Sequence, residues 1–297
     1  RGYTMHHAIS QDKQGNILAT VSKTSAKIAN GKDVRINDFI IRMDPEKGEI
    51  LQEWDLVNML DSARYGMTDY NLTADPYAQN ASNWAHNNGI VEWGNDYLAT
   101  ARYQGIFKFN KAGGIEWIIS PHGYWRDRYL KLLLNPLHAD GTPITDPDVI
   151  AGTKNCDDFE WPWGCHTAVP LPNGHIFYFN NGYGRNFKLD FTDRKNVYTC
   201  GIEYEVDEVN RTVRQVWQYG KERGTAYFTP ARSGVQYLEQ TGNRLICPGM
   251  SNVLSNGNRG ARVTEVDPET QEIVFELELE DAIYPVSYTH LRAHETT

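Results

Sequence analysis

Short runs of alternating apolar and polar residues dominate the chain, and each run closes on a turn built from Asp, Asn, Pro or Gly. Arg42-Met43-Asp44-Pro45-Glu46-Lys47-Gly48-Glu49-Ile50 leads to Trp54, and the same outline returns as Lys108-Phe109-Asn110-Lys111-Ala112-Gly113-Gly114-Ile115 leading to Trp117. It returns twice more, as Tyr204-Glu205-Val206-Asp207 through Val213 to Trp217 and as Thr264-Glu265-Val266-Asp267-Pro268 through Ile273 to Leu277. A period of two interrupted by such turns predicts antiparallel hairpins. A second type of hairpin precedes each of these. It reads His6-His7-Ala8-Ile9 to Gly15-Asn16-Ile17-Leu18, then His86-Asn87-Asn88-Gly89-Ile90 to Gly94-Asn95, then His166-Thr167-Ala168-Val169 to Asn173-Gly174. Its fourth copy runs from Gly234-Val235-Gln236-Tyr237-Leu238 to Asn243-Arg244-Leu245-Ile246. Modules of four short strands without a sustained helical period predict an all-β fold, a β-propeller with about four or more blades in this chain. A solenoid is the alternative, but its period would be shorter and more regular. Residues 55–83 and 120–165 exceed the blade pattern and are expected to be insertions that build a lid or pocket wall.

The blades are expected over residues 1–285, incomplete at the N-terminal side, so that the chain is read as a piece of a longer protein. Residues 286–297 break the pattern and read as a non-native tail, which sets His290 and His294 aside. At 297 residues, with 8 Trp, 17 Tyr and 10 Phe, the chain has the material for a large core. A net charge of −9 argues against a nucleic-acid partner, because phosphates need a basic face. No apolar run reaches the roughly 18 residues that a membrane span needs. The cysteines are Cys156, Cys165, Cys200 and Cys247, with no zinc-finger spacing. Cys156 and Cys165 share one loop, which leaves two alternatives: a local disulfide in an oxidising compartment, or four reduced thiols.

His6, His86 and His166 follow one another at intervals of 80 residues, each at the head of its module, and Arg232 takes that place in the fourth. Innermost propeller strands line a central channel, so these side chains are expected to converge there. Arg102 ends the strand after His86, and Asn180-Asn181-Gly182-Tyr183-Gly184-Arg185-Asn186 ends the corresponding strand after His166. Glycines in that loop are expected to let backbone N–H groups approach a ligand, with Asn181, Arg185, His7 and Arg232 as substrate contacts. Several His and Arg around one cavity, without recurring carboxylates, suit an oxyanion. Neutral imidazole can attack or carry protons near pH 7. A three-histidine metal site is an alternative, disfavoured by the neighbouring Arg, and residues at equivalent repeat positions can also serve blade packing alone. Asp44, Asn110, Asp207 and Asp267 are read as turn formers, and His122, His138 and His175 as structural. Trp161 and Trp163 suit either stacking on an aromatic ligand or anchoring of their loop. Asn71-Leu72-Thr73, Asn80-Ala81-Ser82 and Asn210-Arg211-Thr212 fit the short glycosylation pattern.

Ser82-Asn83-Trp84-Ala85-His86-Asn87-Asn88 followed by Ala101-Arg102 resembles the Trp-x-His-x-Asn…Arg segment of bacterial arylsulfate sulfotransferases. Cys165-His166-Thr167-Ala168 with Asn181-Gly182-Tyr183-Gly184-Arg185 is similar to their His-Thr-Ala…Asn-Gly-x-Gly-Arg segment. Val216-Trp217-Gln218-Tyr219-Gly220-Lys221-Glu222-Arg223-Gly224 resembles a third stretch, and His6-His7 the paired His of an earlier blade. The resemblance implies a six-bladed, periplasmic, usually homodimeric enzyme. Such an enzyme moves a sulfuryl group from a phenolic sulfate ester to a phenol, with no nucleotide donor and no cofactor. It implies His166 as nucleophile, His86 (protonated) and Arg102 as the sulfate-binding pair, and His6, ahead of His7, as proton donor. Arg232 stands where well-studied members have Thr. A non-catalytic binding propeller and a metal-dependent propeller hydrolase or lyase are the competing readings.

Overall fold

The computed structural model describes residues 2–30, 33–64, 84–251 and 260–279. The stretches 65–83 and 286–297 and the first two glycosylation triplets lie outside the described residues. Four antiparallel sheets form four propeller blades in chain order. The first blade holds β1 (Tyr3–Gln11), β2 (Ile17–Asn30), β3 (Asp33–Met43) and β4 (Ile50–Asp55). The second holds β5 (Asn87–Trp93), β6 (Asp96–Ala101), β7 (Gly105–Phe109) and β8 (Ile115–Ile119). A short strand, β9 (Asn135–Leu137), then precedes β10 (His166–Pro170), β11 (Ile176–Asn180), β12 (Cys200–Asp207) and β13 (Thr212–Tyr219) of the third. The fourth comprises β14 (Ser233–Tyr237), β15 (Arg244–Pro248), β16 (Ala261–Val266) and β17 (Ile273–Leu279).

The third blade carries five strands where four were expected. Strand β9, from the 120–165 insertion, adds in parallel to the outer edge of β13 and covers it. The rest of that insertion includes the single-turn helices α1 (Asp127–Leu130) and α2 (Pro147–Ala151). In α2, Asp146 caps Asp148 N and Pro147 starts the turn. Gly152 ends it at φ 85.

The apolar cores lie between blades. Leu18, Ile40 and Trp54 of the first pack with Ile90, Tyr97 and Phe107 of the second. Leu98, Ile106 and Trp117 of the second pack with Tyr178, Ile202 and Tyr204 of the third. Phe177 and Phe179 of the third meet Val235 and Ile246 of the fourth. The recurring tryptophans have one job at each joint. Trp54 donates its indole N–H to Lys111 O in the next blade's outer turn (3.0 Å), Trp117 to the Glu208 carboxylate (2.8 Å) and Trp217 to Pro268 O (3.1 Å). The Asp44, Asn110, Asp207 and Asp267 carboxyl or amide oxygens each accept two backbone N–H groups within their own turns, so they are the turn formers their spacing predicts. Inner strands β1, β5, β10 and β14 pack in series and bring their N-terminal ends to one region.

Candidate active site

Backbone irregularity recurs where each inner strand begins. Pairing slips between Met5 and Ile9 in β1, between Asn87 and Gly89 in β5, and between His166 and Ala168 in β10. In every blade a non-glycine residue there takes a left-handed conformation: His7 (φ 55°), His86 (φ 54°), Thr167 (φ 36°) and Arg232 (φ 63°). Bulges of this kind re-aim side chains that a regular strand would alternate between its two faces. The interval of 80 residues therefore does not mark one equivalent slot. His6 and His7 lie within β1, His86 just before β5, and His166 opens β10.

The histidines converge nonetheless. His6 Nδ1 lies 2.9 Å from His7 Nδ1, and His7 Nε2 lies 3.1 Å from His86 Nε2. The His7 and His166 rings are 6.3 Å apart, centre to centre. Arg102 is buried beside them; its guanidinium stacks on Tyr183 at 4.6 Å and donates from Nη2 to Pro230 O at 2.8 Å. Tyr103 sits edge-on to His86 at 5.9 Å. Arg232 is exposed immediately before β14, two residues beyond the carbonyl that Arg102 grips. A cleft next to this cluster is lined by Arg64, Arg102, Tyr103, Trp163, Gly164 and Phe187. Of the two tryptophans singled out from the sequence, Trp161 is an anchor, with its N–H on Val149 O at 2.8 Å, whereas Trp163 lines the cleft against Phe187.

Burial and mutual repulsion keep the imidazoles neutral. His7 is pulled down to about 3, first by desolvation and then by the neighbouring His6, His166 and Arg102. His166 is likewise lowered to about 3, by burial and then by the Arg102 charge. His86 lies well below the usual imidazole value for the same reasons, burial first, so the ligand-free site does not hold it protonated as the resemblance implied. Burial lowers His6 too, against the pull of Asp38, whose carboxyl is 3.6 Å from His6 Nε2 and is itself raised by burial.

Asn181 has a different part from the substrate contact expected of it. Its side-chain NH2 donates to Thr229 O (2.9 Å) and Ser233 Oγ (2.8 Å), which fixes the orientation of the amide. Its Oδ1 therefore faces His166 Nδ1, at 2.6 Å, with Gly164 O at 3.2 Å on the same nitrogen. Both neighbours are acceptors, so Nδ1 carries the proton and the lone pair is left on Nε2.

Two other expectations are corrected. Arg185 is not brought to the histidines: it is buried in an ion pair with Glu160, donates to Asn196 O (2.7 Å) and lies 3.8 Å over the Tyr198 ring. Gly182 does not offer its N–H group to a ligand either. Gly182 N–H is bound to Asn180 Oδ1 (3.1 Å), and its φ of 67° together with a Cβ position 2.1 Å from Tyr198 O explains the glycine. Of the two alternatives left open for the cysteines, the structure has the second: Cys156 and Cys165 form no disulfide, and all four cysteines are free. The Cys156 thiol turns to Asp158 at 3.1 Å, while Cys165 is buried under Ala101 O.

Sequence reasoning missed Asp38, which accepts Asn87 N–H at 3.1 Å and links β3 to the start of β5. It also missed the role of Asn88, whose amide donates to Cys165 O (2.8 Å) and ties the His86 and His166 segments together. A polar residue heading the apolar run Phe39-Ile40-Ile41 was the one available signal for Asp38.

Comparison with known proteins bears on the chain as a whole. The arylsulfotransferase (ASST) family profile matches residues 1–289. The arylsulfate sulfotransferase AssT of Escherichia coli O6:H1 is 28% identical over 302 residues, 92% of this chain and 50% of its own. AssT of Lelliottia amnigena is 28% identical over 318 residues, 97% of this chain and 52% of its own. The chain thus spans about half the length of the curated relatives it matches.

Proposed function

Because the chain belongs to the arylsulfotransferase family, we propose that this site moves a sulfuryl group from a phenolic sulfate ester to a phenolic acceptor. The observation that carries the reading is His166: a neutral imidazole, its Nδ1–H held by Asn181, with the Nε2 lone pair free to attack. Arg102 supplies a fixed cation for the sulfuryl oxygens, where charge shifts in an in-line displacement. An anionic donor brings negative charge beside neutral rings and favours proton uptake by His86 and by the His6–Asp38 pair. Nε2 of His166 bonds to sulfur as the S–O bond to the aryl group breaks, and His6 gives its proton to the departing phenolate. The acceptor phenol then returns a proton to His6 as its oxygen takes the sulfuryl group and the N–S bond breaks. His166 is thereby regenerated, a ping-pong cycle through a sulfohistidine.

Incubation with 4-nitrophenyl sulfate, with and without phenol, tests the reading. Nitrophenolate release that depends on phenol and disappears in His166→Ala is the expected result. A folded His166→Ala protein that turns over as fast as the parent refutes it. The same resemblance implies a periplasmic homodimer, which cell fractionation and light scattering test.

A further inference from the structure

A second cluster of chemically active side chains lies outside the channel, in the 120–165 insertion. Among the described residues it is the one group in which three His, Cys, Asp or Glu ligand atoms all come within 4.8 Å of one another: His138, Cys156 and Asp158. We propose that these three side chains form a binding site for a divalent, borderline-soft cation, with zinc as the ion that fits best.

The argument rests on donor type and placement. Nitrogen, thiolate sulfur and carboxylate oxygen are the donors zinc takes, and three protein ligands with water in the fourth position is a common zinc arrangement. His138 Nδ1 lies 2.9 Å from Asp158 Oδ1, and Cys156 Sγ lies 3.1 Å from the same oxygen. Both separations are close to those between ligand atoms around one small ion. The side chains are only partly buried, so an ion has access. The Ala139 N–H also bonds to Asp158, at 2.9 Å, and holds the carboxylate beside His138 and Cys156. Asp140, two residues after His138, adds a second carboxylate to that arm. The ligands come from two arms of the insertion, one just after β9 and one just before the segment 159–165 that leads into His166.

Binding displaces the hydrogen bonds the cluster makes in the absence of an ion. The Cys156 thiol gives up its proton to solvent and binds as thiolate. His138 binds through Nδ1, which gives up its hydrogen bond to Asp158, and Asp158 exchanges the His138 and Cys156 donors for the cation. The ion thereby clips β9, and through it the outer edge of the third blade, to the arm that carries Glu160, Trp161 and Trp163.

Cobalt(II), titrated into the reduced, chelator-stripped protein, reports on the site by its colour. The expected result is one equivalent bound with tetrahedral d–d absorption and a thiolate-to-cobalt charge-transfer band, both displaced by zinc. Cys156→Ser is expected to abolish the charge-transfer band, and His138→Gln to weaken cobalt binding roughly tenfold or more. Zinc at a hundredfold excess over Kd is expected to raise Tm by roughly 5 °C in the parent but not in Cys156→Ser. Absence of the band in the parent overturns the proposal, as does a band that survives in Cys156→Ser. A band lost in His166→Ala would place the ion on the channel histidines and overturn it equally. None of these readouts depends on sulfuryl transfer.

Discussion

Replacing Asn181 by Leu is the most direct probe of the site, because the shape is nearly kept and the amide is lost. The amide oxygen accepts the His166 Nδ1 proton at 2.6 Å, and Gly164 O, at 3.2 Å, is the weaker second acceptor. While the imidazole is neutral, such a bond contributes about 1 kcal/mol net; once Nε2 has bonded to sulfur the ring is cationic and the bond strengthens to about 1.5–3 kcal/mol. The difference, about 0.5–2 kcal/mol, is stabilisation present in the transition state and largely absent from the ground state. It corresponds to a loss of about 2- to 30-fold in kcat with KM nearly unchanged. Asn181→Leu also strands Thr229 O and Ser233 Oγ, at a stability cost of about 1–3 kcal/mol. The assay therefore pairs phenol-dependent release of nitrophenolate with a urea titration of the same preparation, run where the variant is fully folded. Turnover within a factor of about two of the parent, on folded protein, would refute the assignment of Asn181 as the residue that positions the nucleophile.

Three further outcomes are expected. His166 titrates at about 3, so its nucleophilic form persists on acidification; nitrophenolate release in the first half-reaction should lack an acid limb near 6.5 between pH 7.5 and 5. A limb at the ordinary imidazole value would contradict the burial argument. Arg244→Met removes the cation from a buried pair with Glu203 (2.7 Å) that joins the third and fourth blades, and should cost about 3–5 kcal/mol in urea unfolding at pH 7. Burial raises Glu203, but its bonds to Arg244 and His175 outweigh that and depress it. The stability it contributes is thus present above the unfolded value and lost as pH falls through the folded one, and the gap between parent and variant should narrow towards pH 3. Trp117→Phe keeps the ring but drops the N–H bond to Glu208, and calorimetry should show about 1–3 kcal/mol of destabilisation, with the Asp207–Asn210 turn unchanged.

The blades were legible because a two-residue period and Asx turns are local. Asp44, Asn110, Asp207 and Asp267 hold turns whose bonds span only two or three residues, so four repeats of that outline suffice to write down four sheets. The channel set His6, His7, His86, His166 and Arg102 was legible for a related reason: it sits at the head of each module or at the end of the next strand. What escaped was whatever depends on partners distant in sequence. Arg185 reads as a ligand for an anion until Glu160, 25 residues earlier, is found to hold it. Asp38 reads as one polar residue among apolar neighbours until the chain folds it under His6. The charge state of His86 follows from its burial and then from the neighbouring His7, Arg102, His166 and His6, which no spacing encodes. Strand β9 has three residues and a Pro, too little pattern to predict an edge strand.

The left-handed residues at His7, His86, Thr167 and Arg232 have a consequence for how such a channel changes over time. A non-glycine side chain held at positive φ is tolerated only because the strands beyond it are already fixed, at a cost on the order of 1–3 kcal/mol each. Glycine would relieve that cost at each position while deleting a side chain, which at His7 and His86 belongs to the histidine cluster. Thermal hardening and chemical competence therefore pull in opposite directions at His7 and His86. That tension sits at the bulge where each inner strand begins, so the outer strands of a module can keep their register while the residue at its head is replaced.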